Sequence, residues 1–329
     1  MKEEDIRPNH LVAENQILLQ RDIDKIIEEK ENFVVVPCPA CDSKNHKSIF
    51  EKQNFNFVIC KDCETVFINP RPSQILLKNF YENSGCIKHW KNIFKATEDI
   101  RRKEIFAPRA QTVVELAKKF DNDYKLLVDV GAGFGTFCEE IKTYNIFKKI
   151  IAIEPSHELA DVCRTKNLEI HETFIENTTL KDVSVLTNFE LIEHLFNPKD
   201  FVMACKESLN KNGLFIITTP NVKGFDMITL GKQAPSFQGP NHLNYFNPKS
   251  ITILLERFGF KVLEILTPGK LDAEIVRKNV LTGNLNLDEY PFFKRIFLED
   301  WNTLGSNFQK FLIDNKLSSH MWVVAQNHS

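Results

Sequence analysis

Four cysteines near the start of the chain have the spacing of metal ligands: Cys38-Pro39-Ala40-Cys41 and Cys60-Lys61-Asp62-Cys63, eighteen residues apart. A CxxC turn is tight enough for two thiolates to reach one ion. Two such turns complete a tetrahedral sulfur site of the kind that holds structural zinc. A redox dithiol and a pair of disulfides are the alternatives, but redox motifs carry one CxxC rather than two. With four sulfurs bound, such a zinc has no open position and does no chemistry. Cys86, Cys138, Cys163 and Cys205 are scattered and read as plain buried thiols of a reducing cytosol.

A second group could hold a nucleoside. Asp129-Val130-Gly131-Ala132-Gly133-Phe134-Gly135 ends an apolar run and opens a helical pattern. Glycine permits positive φ and lets a ligand approach bare backbone, and the helix behind it offers unpaired N–H groups. Glu154 ends the next apolar run, where a carboxylate can accept hydrogen bonds from both ribose hydroxyls of an adenosine ligand. The dinucleotide fingerprint G-x-G-x-x-G is not met, because its third position is Thr136. A ligand-free tight turn is the bland alternative. Three alternating glycines would be a costly loss of chain entropy for a simple turn.

These groups need a scaffold that alternates strands and helices. Leu126–Val130, Ile150–Ile153, Leu168–Ile170, Val183–Leu186, Leu214–Thr218, Lys261–Leu266 and Met321–Ala325 read as seven strands. Helices fall at residues 157–166, at Pro198–Leu209, closed by Asn212-Gly213, and from Asn247-Pro248 to about Phe258, stopped by Gly259. This alternation predicts an α/β fold, a Rossmann-like and mostly parallel seven-stranded sheet covered on both faces. Residues 11–31 have helical periodicity, and Asn69-Pro70-Arg71-Pro72 is a stiff, non-helical exit from the cysteine segment.

The stretch Val128–Gly135 resembles the S-adenosylmethionine (SAM) loop of class I methyltransferases. So do the segments Asn188–Leu195, Asn197-Pro198, Thr219-Pro220-Asn221, His242-Leu243 and Phe246 resemble later motifs of the small-molecule members. The cysteine segment resembles the zinc-ribbon-like module on some bacterial sugar and small-molecule methyltransferases. The resemblance implies that Asp129, Gly131, Gly133 and Gly135 line the methionine end of SAM and that Glu154 holds the ribose. It further implies Pro155, Ser156 and Phe174 beside the adenine, and Asn188, Phe189 and Glu190 flanking the sulfonium. The chain is accordingly read as a helical segment (1–32), a zinc-binding module (33–75), a helical linker (76–122), a SAM-binding core (123–270) and a helical insertion with the last strand (271–329).

Methyl transfer to a hydroxyl needs a base, and histidine titrates near neutrality. His194 follows the fourth strand, at the carboxyl edge where open α/β sheets bind ligands. His242 lies in the polar loop Gln238–Tyr245, with Tyr245 three residues on. Packing or helix-cap roles are the alternatives for both histidines. Glu190 is a further candidate base or substrate clamp, and Glu193 a hydrogen-bonded structural acid. Residues 222–241, with three glycines and two prolines, read as a lid over the acceptor.

Bulk charge argues against a nucleic-acid partner: 42 Lys+Arg against 44 Asp+Glu leave a formal net charge of -2. The expected partner is a small-molecule acceptor, a sugar or nucleotide-linked sugar, methylated on oxygen. An RNA acceptor, carbon methylation of a keto-sugar and a non-catalytic assembly role are the alternatives. The polar start MKEEDIRPNH lacks the apolar core of a signal peptide, and no apolar run approaches the roughly 18 residues of a membrane span, so the expected location is the cytoplasm.

Overall fold

The computed structural model describes residues Glu3–His328. The chain packs as two compact units that are discontinuous in sequence. One comprises Met1–Thr97, Pro220–Pro248 and Leu266–Met321; the other comprises Glu98–Thr219, Lys249–Ile265 and Trp322–Ser329.

The second unit is built on a seven-stranded sheet. Its strands are β1 (Leu126–Val130), β2 (Lys149–Ile153), β3 (Glu169–His171), β4 (Val183–Phe189), β5 (Leu209–Pro220), β6 (Phe260–Leu266) and β7 (His320–Asn327). Their order is β6-β7-β5-β4-β1-β2-β3. The β1–β2, β2–β3, β1–β4 and β4–β5 pairs are all parallel. Burial on both faces explains the unbroken apolar runs: Val183, Val185, Leu186 and Leu214–Ile217 are all fully buried. The helices Ala107–Lys119 and Pro248–Arg257 bury Val113, Val114 and Ala117, and Ile251, Leu254 and Leu255, respectively.

Two local expectations change. The helix before β5 ends at Ser208, and Asn212-Gly213 sits inside β5 rather than before it. The β4–β5 register slips between Leu209 and Leu214, so the apparent turn is an irregularity that the parallel pairing absorbs.

In the first unit a short helix, Glu3–Ile6, precedes the helix Asn9–Glu28, whose Leu19, Ile23 and Ile26 are buried. Its Asp22 carboxylate accepts the Cys86 N–H at 2.9 Å, satisfying one donor at the start of the helix Gly85–Ala96. A four-stranded ribbon follows. The strands His46–Lys52 and Phe55–Cys60 pair antiparallel, joined at Gln53-Asn54 with both φ values positive, as a tight two-residue hairpin demands. Val66–Ile68 adds a third strand, and Asn244–Tyr245 pairs with it from far along the chain.

The segment expected to be a lid is packed structure. Asp226, Met227, Leu230, Ala234 and Phe237 are buried, and Lys52 Nζ donates to Ala234 O at 3.0 Å. Two of its glycines serve close packing. A Cβ on Gly224 would lie 2.2 Å from Ser319 Cα, and one on Gly239 would lie 2.5 Å from Phe55 Cδ2. Among the described residues no helix is long and apolar enough to cross a membrane.

Candidate functional site

The sheet reverses its strand order at β1, which has β4 on one side and β2 on the other. Ligands of open α/β sheets bind beyond the carboxyl ends of the strands at such a reversal. The glycine loop leaves β1 there, and Asn188, Phe189 and Glu190 lie at the end of β4.

Gly131, Gly133 and Gly135 have φ of 76°, 56° and 70°, in the left-handed region where side chains are strained. They differ in what surrounds them. A Cβ on Gly135 would sit 2.4 Å from Leu168 Cδ1 and 3.0 Å from Cys163 Sγ, so this glycine lets the loop seat on the neighbouring helix. A Cβ on Gly131 would meet Leu191 Cδ2 at 3.0 Å, whereas one on Gly133 would meet nothing within 4 Å. Gly133 is therefore the point at which a ligand could reach bare backbone. Glu154, at the end of β2 and almost buried, holds this turn. Its two carboxylate oxygens accept from Gly133 N at 3.0 Å and Ser156 N at 2.9 Å. Pro155 and Ser156 continue from it, and Phe174, beyond β3, is an exposed aromatic at 58%.

Asp129 points inward. The β1–β4 register sets it opposite Thr187, whose hydroxyl donates to it at 2.7 Å, and it is 2% exposed. Burial pushes its carboxyl up to about 7, against the downward pull of that hydrogen bond and of the Arg109 charge. Asn188 is fully buried, and its Nδ2 donates to Val130 O at 3.3 Å. Its Oδ1 is a buried acceptor with no partner among the described residues.

Around Glu190 the site is charged. Glu190 has φ of 51°, and its Oε1 accepts from Thr218 Oγ1 at 2.7 Å. Arg109 lies 3.8 Å from Glu190 and 4.8 Å over the Phe189 ring. Burial lowers the Arg109 pKa, and Glu190 opposes this. Sequence reasoning missed Arg109, although it stands four residues before buried Val113, on the apolar stripe of its helix. Glu193 is fully buried and accepts from Thr219 Oγ1 at 3.0 Å; burial, then the Glu190 charge, holds its pKa well above the usual range. His194 Nε2 lies 3.9 Å from Glu193 Oε1.

His242 and Tyr245 belong to the first unit. The His242 Nδ1 lies 3.0 Å from Ser236 O. Tyr245 is fully buried, with its ring 4.8 Å from Phe237 and 5.8 Å from Phe57. Its hydroxyl accepts from Gln238 N at 3.1 Å and donates to His242 O at 3.2 Å, so it meets the loop backbone rather than an open cleft.

In the same unit the four paired cysteines converge, with all four Sγ atoms within 4.8 Å of one another. Cys38 and Cys63 are 3.4 Å apart, and Cys41 and Cys60 are 3.6 Å apart. Sulfurs bound to zinc at about 2.3 Å in a tetrahedron stand about 3.8 Å apart, whereas disulfide sulfurs stand about 2 Å apart. The two turns share one hydrogen-bond pattern. Cys38 N donates to Ser43 O at 2.8 Å and Asp42 N to Cys38 O at 3.0 Å; Cys60 N donates to Thr65 O at 2.9 Å and Glu64 N to Cys60 O at 3.0 Å. Asp42 and Glu64, at equivalent places, have φ of 60° and 62°. Buried Arg71 is pushed down to about 9 by desolvation, which the Cys38 charge opposes.

A family model described as a methyltransferase domain matches residues 101–265. A probable S-adenosylmethionine-dependent methyltransferase of Mycolicibacterium smegmatis is 28% identical over 144 residues, 43% of this chain and 53% of that protein. The ubiquinone biosynthesis O-methyltransferase of Cereibacter sphaeroides is 26% identical over 137 residues, 36% of this chain and 55% of that protein. The chain spans about half the length of the curated relatives it matches. A solved S-adenosylmethionine-dependent methyltransferase from Clostridium acetobutylicum aligns with a TM-score of 0.47 at 10% identity, covering 74% of this chain and 100% of that one.

Asp129 ties the site to pH. Its folded-state value, about 7, lies above the ordinary aspartate value of about 3.9, so the folded state binds this proton more tightly. The resulting stability is fully present below about pH 4 and is lost as pH rises through about 7. The stability of the wild type relative to Asp129→Asn, from urea midpoints, is therefore expected to fall between about pH 4 and about pH 7 and to level off above that. A difference that stays constant or grows would contradict the shift.

Proposed function

The chain belongs to the family of SAM-dependent methyltransferase domains, and on that premise we propose that it methylates an oxygen of a small-molecule acceptor, a sugar or nucleotide-linked sugar. The observation that carries the cofactor site is Gly133, whose missing side chain faces open space beside the carboxylate of Glu154. Glu154 would hold the ribose, with Pro155, Ser156 and exposed Phe174 toward the adenine. Gly131, Gly133, Gly135 and Asp129 would border the methionine portion. The unpartnered oxygen of Asn188 is an acceptor of the kind an ammonium group satisfies. Bound there, SAM supplies an electrophilic methyl group.

The chain's own residues then position the acceptor and take up its proton. His242 is the proposed base, on a polar loop held by Ser236 and Tyr245. Phe189, Glu190 and His194 border the cofactor, with Arg109 3.8 Å from Glu190. The near-neutral charge and the interleaving of Asp62 and Glu64 with Lys44, Lys47 and Lys61 favour a small acceptor over RNA.

We also infer that Cys38, Cys41, Cys60 and Cys63 hold one structural zinc. The paired turns and the sulfur spacing support it. A closed four-sulfur site leaves the ion no part in methyl transfer.

Transfer from methyl-labelled SAM to nucleotide-sugars, free metabolites and total RNA tests the acceptor. Label in the sugar fraction is expected, and label confined to RNA would overturn the reading. With that acceptor, His242→Ala should lower turnover by about a hundredfold or more, the scale of a lost general base. Near-normal turnover with a raised acceptor KM would make His242 a positioning residue instead. Metal analysis of the purified protein should find about one zinc per chain, lost in Cys38→Ser and Cys60→Ser. A folded, metal-free protein with these cysteines oxidised to disulfides would exclude the site.

A further inference from the structure

We propose that Tyr245 and the Ser236 carbonyl are a positioning pair that fixes His242 in one tautomer, with the proton on Nδ1 and the basic lone pair on Nε2. This rests on the reading of His242 as the base and specifies how it is held. A backbone carbonyl can only accept, so a His242 Nδ1 at 3.0 Å from Ser236 O carries the hydrogen when the ring is neutral. The nitrogen left to take up a proton is then Nε2. A carbonyl here does what a carboxylate does in other histidine bases: it selects the tautomer and sets the ring's direction.

That contact spans six residues of loop and persists only if the loop keeps its shape. The Tyr245 hydroxyl closes it. It accepts from Gln238 N at 3.1 Å and donates to His242 O at 3.2 Å, using both capacities of one hydroxyl on the two ends of the turn. The His242 N–H donates to Gln238 O at 2.9 Å, a second tie between the same residues.

Tyr245 cannot drift, because the ribbon holds it. Its strand pairs Tyr245 with Val66 and Asn244 with Phe67. Its ring packs with Phe57 and Phe237, which are themselves 5.5 Å apart. On the other side of the pairing, the Arg71 guanidinium donates to Asn244 Oδ1 at 3.1 Å, and Ile68 N donates to Leu243 O at 3.0 Å. The Tyr81 hydroxyl donates to Asn241 O at 3.2 Å. Asn247 Nδ2 reaches the carbonyls of Cys63 and Glu64 at 3.2 and 3.0 Å, at the second cysteine turn. The ribbon is thereby the mount of the histidine loop. Tyr245 itself works through the backbone of His242 and does not meet the acceptor.

The test reads the imidazole directly and needs no acceptor. In protein labelled with 15N-histidine, at about pH 8 where an ordinary histidine is neutral, long-range 1H–15N correlations distinguish the two tautomers. The His242 ring is identified by its disappearance in His242→Gln. The wild type is expected to show protonated Nδ1 and unprotonated Nε2. Tyr245→Phe keeps the buried ring and removes only the hydroxyl, and it should give a mixture of both tautomers. Protonated Nε2 as the main form in the wild type, or an unchanged tautomer population in Tyr245→Phe, would overturn the inference. Unaffected turnover in His242→Ala would defeat the base assignment while leaving this tautomer result standing.

Discussion

One carboxylate holds the glycine loop in shape. A turn that passes through three left-handed glycines exposes backbone N–H groups at the end of a buried sheet, and such donors must be satisfied. Glu154 does this from the adjacent strand, taking the Gly133 N–H on one oxygen and its own neighbour Ser156 N–H on the other. The loop and the end of β2 thus share one anchor. An ionised carboxylate has acceptor capacity beyond two amides, so the same group can serve a ribose without releasing the turn. The remaining features at this edge follow from the strand reversal. Parallel pairing of β1 with β4 brings Thr187 opposite Asp129 and Asn188 opposite Val130.

The first unit answers a different need. It has little regular sheet of its own, and its ribbon is a hairpin and two short strands. Such a small sheet is marginal without a staple. Two matching cysteine turns supply the geometry for one, beside a core of Phe55, Phe57, Phe67 and Tyr245. Two buried polar side chains here, Arg71 and Asn247, are spent on the oxygens of Leu243 and Asn244 and on the carbonyls of Cys63 and Glu64, respectively.

Much of this is readable in the sequence, and most of what is not depends on contacts between segments far apart in the chain. Apolar runs, the glycine loop and the cysteine spacing are local patterns, and the seven strands lie within a few residues of their expected places. The pairing of Asn244–Tyr245 with Val66–Phe67 joins segments far apart in the chain, and a two-residue strand has no periodicity to announce it. Residues 222–241 looked like a lid because Gly and Pro usually mark loops. Gly224 and Gly239 are instead places where another chain segment comes too close for a side chain. Asn212-Gly213 resembled a helix stop because the same residues suit an irregularity inside a strand. Arg109 escaped notice because an arginine on an apolar stripe gains meaning only once Glu190 and Phe189 are seen beside it.

The proposed SAM site rests on the glycine loop and on Glu154. Calorimetry of S-adenosylhomocysteine binding to the wild type and to Glu154→Ala tests it most directly. The variant should bind more weakly by about 1.5–3 kcal/mol, the range for hydrogen bonds to a charged group, or roughly ten- to 150-fold in Kd. Equal affinities, with both proteins folded, would contradict the assignment.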